Sequence, residues 1–283
     1  MNSRFSGAGR APPGALLVLG AWLTLSLLSP ALGLAPDTLH LDRILHTPAL
    51  TAGGWLGYDE LGRSLLDRLL IGARVSLAVV LQVVAGQALL GITAGLIGGY
   101  LGGWPDRCLR QLTDVVLAFP GLLLALLLAS LLGPGIENVV LALVAVGWVG
   151  FARLTRAQVL SLKRSDHVAA ARALGCGHAR IVWRHLLPLL AAPLLVEAIL
   201  ASAGAITAEA GLSFLGLGVQ PPQASWGGLI REGSRYLLVA PHYLLLPGAA
   251  LMAVVYAISA LGEQLRQHLD PRHAGLSMPR VTP

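Results

Sequence analysis

Six apolar runs, each near the length of a membrane-crossing helix and divided by short polar connections, leave this chain few architectures. They cover residues 14–35, 75–100, 112–132, 138–157, 186–212 and 243–261. A helix rises 1.5 Å per residue, so about 20 apolar residues match the roughly 30 Å hydrocarbon core of a bilayer. In lipid every backbone N–H and C=O needs an internal partner, which a helix supplies by itself. Composition agrees, because 55% of the 283 residues are hydrophobic and only 12% are charged. Soluble domains carry about a quarter charged residues. The expected fold is all-α, a polytopic membrane helix bundle with about six transmembrane helices lying in a lipid bilayer.

Charge then orients the bundle. A net charge of +6 would suit nucleic acid, but the arginines gather in short connections instead. Arg4 and Arg10 precede the first run, and Arg107 and Arg110 precede the third. Arg156, Lys163, Arg164, Arg172, Arg180 and Arg184 surround the fourth-to-fifth connection, and Arg266, Arg272 and Arg280 close the chain. With an even number of spans these share one side, which the positive-inside rule makes cytoplasmic. No nucleic-acid partner is expected. Asp37, Asp42, Asp59, Glu60, Asp67, Glu137 and Glu232 fall on the other side.

The expected organisation is a cytoplasmic N-terminus (1–13), a first transmembrane helix (14–35) and an external polar segment (36–74). A transmembrane domain (75–265) follows, holding a cytoplasmic loop at 163–187, and a cytoplasmic tail (266–283) ends the chain. The basic start and apolar run of the N-terminus could pass for a secretory signal. Residues 15–35, however, outrun the 7–15 apolar residues of a signal core, and read as a retained span. Cys108 and Cys176 both fall on the cytoplasmic side. There a disulfide would be unusual, and two lone cysteines are no metal framework.

Small residues recur in the second run at Gly86, Gly91, Gly95, Gly98 and Gly99, a spacing that lets helix backbones approach closely in lipid. Pro120, Pro134, Pro188, Pro193 and Pro247 are expected to kink or end helices. Asp114 can pair with Arg110 at helical spacing. Glu197 and Glu209 lie within the fifth run, where a charge is costly. Either lines a pathway, braces the bundle or sits close enough to an interface to be solvated.

The polar connection from 166 to 188 is helical by pattern. Asp166 can cap its start. Ala169, Ala170, Ala171, Ala173 and Leu174 favour helix, Gly175 and Gly177 break it, and helical spacing resumes until Pro188. Two short helices meeting at a glycine turn can present a low alanine knob to a protein groove. They can equally rest on lipid, with Arg172, Arg180 and Arg184 meeting anionic headgroups.

This connection, with Ala169-Ala170-Ala171, Gly175 and Leu187-Pro188, resembles the "EAA" loop of ABC-transporter permeases. Three further stretches resemble the dipeptide/oligopeptide/nickel branch of binding-protein-dependent permeases. They are LGYDELGRS from Leu56 to Ser64, GWVGFAR from Gly147 to Arg153, and the run from Ala208 through Pro222 to Gly227. The tail LDPR from Leu269 also fits, so the resemblance covers roughly 56 to 272. Ala169 stands where the family often has glutamate, His185 where it has isoleucine, and Tyr58 where it has threonine.

The resemblance implies a type I ABC importer permease fold with a cytoplasmic coupling helix, in the second permease of a pair in a prokaryotic plasma membrane. The implied partners are a homologous permease subunit, two cytoplasmic ABC ATPase subunits and an extracytoplasmic substrate-binding protein. The implied function is import of di- or oligopeptides, or alternatively of nickel or another metal chelate. ATPase docking then falls to Asp166, Ala169, Ala170, Ala171, Arg172, Leu174, Gly175 and Arg180. Glu209, Glu197, Phe214, Gly216 and Gly218 are pathway or gating candidates. Asp59, Arg63, Trp226 and Arg231 are candidate contacts for the binding protein, though Trp226 also suits a membrane-interface anchor.

No catalytic or metal residue is expected, and ATP and Mg belong to the partner ATPases. A phosphate-binding Walker loop needs a lysine after its second glycine. The only lysine is Lys163, followed by Arg164. An intramembrane enzyme would need a convergent nucleophile and base or a metal triad at membrane depth, and no His-Glu-x-x-His occurs. A non-transporting scaffold would leave the four ordered motifs without a role.

Overall fold

The computed structural model describes residues 13–49 and 54–269, so Arg4, Arg10, Arg272 and Arg280 lie outside the described residues. Every regular element among the described residues is helical. Helix α1 (Pro13–Leu28) runs into a 3-10 turn, Ser29–Ala31, that carries Pro30. After a polar segment, α2 (Leu65–Leu101) extends unbroken for 37 residues. It starts at Leu65 rather than at 75, because Arg68 is buried among carboxylates while Arg74 stays exposed on the same continuous helix. Ser64 caps the first turn by accepting from the Asp67 amide, and Asp67 itself accepts from the Ala35 amide at 3.1 Å.

The expected third span is two helices, α3 (Gly103–Leu117) and α4 (Gly121–Leu132), bent by 88° at Pro120, one of the prolines expected to kink or end a helix. Next come α5 (Ile136–Leu162), α6 (Asp166–Ala173) and the short α7 (His178–Arg180). A π-helical stretch, Ile181–Leu186, leads into α8 (Leu187–Phe214), followed by α9 (Trp226–Ser234) and α10 (Pro241–Leu269). Pro193 and Pro247 end neither α8 nor α10, which continue through them.

Packing decides whether the bent pair crosses the bundle. An added Cβ at Gly91 would meet Trp148, Phe151 and Ala152, at Gly95 Ala152 and Thr155, and at Gly99 Arg156 and Val159. Contacts advance in the same direction along both helices, so α2 and α5 are parallel. The chain between them must therefore return the full height of the bundle, and α3 with α4 makes that passage. Five long apolar helices plus this bent pair give six crossings.

The glycine stripe explains the intimacy of the α2–α5 pair, since side chains there would strike the backbone of α5. Gln87, buried in α2, donates to the Leu143 carbonyl of α5 at 3.0 Å, adding a polar clasp. Asp106 of α3 is bound by Arg156 of α5 and lies 3.4 Å from Arg110. The expected Arg110–Asp114 pair is thus replaced by one with the residue a turn earlier.

Candidate functional site

Three polar places stand out from the apolar bundle: a hairpin at one end, a charge cluster at the other, and a carboxylate between them.

The hairpin follows α5. Ser165, not Asp166, occupies the N-cap of α6, leaving Asp166 in the first turn where its charge complements the helix dipole. Gly175 turns the chain at φ +80, a conformation that costs a side chain dearly. The returning arm, Ile181–Leu186, inserts Ile181 and Leu186 into an apolar cluster with Phe151, Val159, Val168, Leu190 and Leu194.

That cluster separates the docking candidates. Asp166, Ala169, Ala170, Arg172, Leu174, Gly175 and Arg180 are exposed. Ala171 is 5% exposed and faces inward beside Val168, so it seats the hairpin and presents nothing outward. Leu174 is 85% and Trp183 74% exposed, and Trp183 went unnoticed in the sequence. No repeat marks it. It is simply a large apolar residue left over once Ile181 and Leu186 turn inward.

At the opposite end, Asp59 and Arg63 are buried and paired at 2.6 Å. Arg68, from the first turns of α2, lies 2.6 Å from the same Asp59 oxygen and 2.8 Å from Glu232 of α9. Tyr243 of α10 donates its hydroxyl to Glu232 at 2.7 Å. The LGYDELGRS motif is therefore an internal brace joining the polar segment before α2 to α2, α9 and α10. Asp59 is not available as a binding-protein contact, and Arg63 only edges the pocket described below. Tyr58 of the same motif accepts from Arg43 at 2.7 Å, which gives the hydroxyl a tie within the segment.

Trp226 is also buried. It donates from Nε1 to the Leu69 carbonyl at 3.0 Å and lies 6.2 Å from Trp22, so it is neither an interface anchor nor a surface contact. Of that candidate group only Arg231 is exposed, its guanidinium lying over Gly216. With Arg235, Glu60 and Glu232 it borders an open pocket of about 320 Å³.

Midway, Glu209 is 1% exposed and accepts from Ser213 at 2.8 Å and from Ser76 of α2 at 3.3 Å. This geometry makes it a brace between α8 and α2. Glu197 is half-buried against Gly150 of α5, at a groove of about 690 Å³ bordered by α5, α8 and α10. Phe214 is exposed at the end of α8, Gly216 turns the chain there, and Gly218 packs on Ser213 without room for a side chain.

A parallel helix pair, six crossings and a hairpin folded out between α5 and α8 define a multi-pass membrane helix bundle. Residues 91–274 match the family described as binding-protein-dependent transport system inner membrane component, and the chain belongs to that family. The dipeptide transport system permease protein DppC of Alkalihalophilus pseudofirmus is 39% identical over 78% of this chain and 73% of its own. The glutathione transport system permease protein GsiD of Pectobacterium atrosepticum is 38% identical over 84% of this chain and 78% of its own. The di/tripeptide transport system permease protein DppC of Pseudomonas aeruginosa is 40% identical over 84% of this chain and 80% of its own. The inward-facing MetNI methionine ABC transporter shares the fold, with a TM-score of 0.59 over 73% of this chain and 98% of that one, at 17% identity.

Proposed function

We propose that this chain is one permease of an ATP-driven importer for short peptides, forming half of the pathway beside a homologous permease. The observation that carries the substrate class is the 38–40% identity to relatives named for dipeptides, di/tripeptides and glutathione. The basic hairpin lies on the cytoplasmic side under the positive-inside rule, which also puts both termini there. Its exposed Ala169, Ala170, Arg172, Leu174 and Trp183 dock one of two separate ATPase subunits, which hold ATP and Mg and carry out hydrolysis. An extracytoplasmic binding protein delivers substrate to the opposite end, where Arg231 is the remaining contact candidate.

The test is peptide uptake and ATPase activity of the complex reconstituted in proteoliposomes with its binding protein. Short peptides are expected to stimulate hydrolysis and to accumulate inside. Hydrolysis that responds to a nickel chelate and ignores peptides would reject the substrate class. A folded chain that recruits no ATPase would reject the importer altogether.

A further inference from the structure

We propose that Lys163, Tyr100 and His178 form a two-point joint through which the hairpin moves α2, acting as positioning residues for the transport step. The proposal rests on the hairpin being the ATPase-docking element.

Both arms of the hairpin touch the same turn of α2. On the outgoing arm, Lys163 Nζ donates to the carbonyls of Gly99 and Tyr100, at 3.2 and 3.3 Å. On the returning arm, His178 Nδ1 is 2.8 Å from the Tyr100 hydroxyl, with the two rings edge-on at 5.7 Å. The two contacts lie on either side of α6 and the Gly175 turn. A displacement of the hairpin therefore meets α2 from both flanks.

The chemistry at each point is specific. The last carbonyls of a helix have no intrahelical donor and carry its negative dipole end. The Gly102 amide satisfies the Gly98 carbonyl, and Lys163 takes the next two. It is the only lysine in a chain otherwise supplied with arginine. A compact ammonium with three rotatable donors suits two adjacent carbonyls, where the rigid fork of a guanidinium fits carboxylates and phosphates.

The helix so gripped can deliver a displacement. It is unbroken for 37 residues, about 55 Å at the α-helical rise. At its far end Arg68 enters the Asp59–Glu232 cluster, and on the way Ser76 donates to Glu209. Just past the joint, Gly102 and Gly103 both have positive φ, so the link to α3 is a turn rather than a continued rod. The hairpin is held to one end of α2, and α3 leaves that end through a glycine turn before packing Leu109 back against Gly98.

The experiment measures peptide transported per ATP hydrolysed by the full complex in proteoliposomes. The variants are Lys163→Met, Lys163→Arg, Tyr100→Phe, His178→Phe and the Tyr100→Phe/His178→Phe double. Lys163→Met and each aromatic variant should keep ATPase association while the ratio falls about threefold or more. Lys163→Arg should recover part of the loss, and the double variant should fall no further than its worse single member. Unchanged ratios in assembled variants would overturn the joint. So would Lys163→Met failing to assemble while Tyr100→Phe couples normally, since Lys163 would then serve only folding. A wild-type complex that hydrolyses ATP without moving peptide would instead overturn the peptide assignment on which this readout rests.

Discussion

Arg68 sets the terms at the scale of single residues. A charge this buried is tolerated because Asp59 and Glu232 both lie within 2.8 Å of one of its nitrogens. Removing it leaves Asp59 with Arg63 and the Leu61 and Arg63 amides, and Glu232 with Tyr243 and a more distant Arg63 at 3.9 Å. Breaking a buried pair from one side costs about 3–5 kcal/mol. Arg68→Met is therefore expected to lower the thermal unfolding midpoint of the detergent-solubilised protein markedly. Arg231→Met, which removes an exposed and unbridged guanidinium, should leave the midpoint within a degree or two. Equal midpoints for the two variants would contradict the brace. Glu209 argues similarly. Glu209→Gln retains an oxygen for Ser213 and should be tolerated, whereas Glu209→Leu strands two buried hydroxyls at about 1–3 kcal/mol each. A melt in which the two substitutions behaved alike would show that the serines find other partners.

At the scale of elements, the glycine stripe of α2 was readable from spacing, while its target was not. Gly91, Gly95 and Gly99 announce a close helix contact, but only the fold names α5 as the neighbour and shows the parallel direction. Gly95→Val would place its Cβ about 2.6 Å from the Ala152 carbonyl oxygen and the Thr155 Cβ. Overpacking of this kind costs about 1–3 kcal/mol or forces the helices apart. Gly86→Val, which meets the Val144 side chain rather than the α5 backbone, should be milder, and comparing the two melts tests the stripe. The α3–α4 corner was illegible for a different reason. Hydropathy records that 112–132 is apolar but is blind to direction, and Pro120 marks a possible kink without its angle. The hairpin was legible in outline because alanines and glycines act locally. The inward turn of Ala171 and the outward turn of Trp183 depend on which face finds Phe151 and Val159. The same limit applies to Asp59, Arg63 and Trp226, whose polarity or ring chemistry suits a surface until long-range partners remove them from it.

At the scale of the whole molecule, the parallel course of α2 and α5 forces a topology that hydropathy leaves ambiguous. Were α3 and α4 a loop entering and leaving the same face, α5 would begin where α2 ends and the pair would be antiparallel. The advance of contacts from Gly91 to Gly99 along Trp148 to Val159 rules that arrangement out. The amide of Gly135, just before α5, also donates to the Leu217 carbonyl at 2.9 Å, at the end of the bundle where α8 terminates. Accessibility from the two faces checks this directly. In a Cys108→Ser/Cys176→Ser background, single cysteines are placed at Trp104, Pro134, Leu174 and Leu238. Trp104, Leu174 and Leu238 are 75%, 85% and 98% exposed, so their replacements can react freely. A membrane-impermeant maleimide should label Trp104→Cys and Leu174→Cys from the cytoplasmic face, and Pro134→Cys and Leu238→Cys from the other. Labelling of Trp104→Cys and Pro134→Cys from one common face would make the bent pair re-entrant. It would also break the even count on which the placement of hairpin and termini depends. The α2 rod would then lose its geometry, because a hairpin grips α2 from below only if α5 descends beside it.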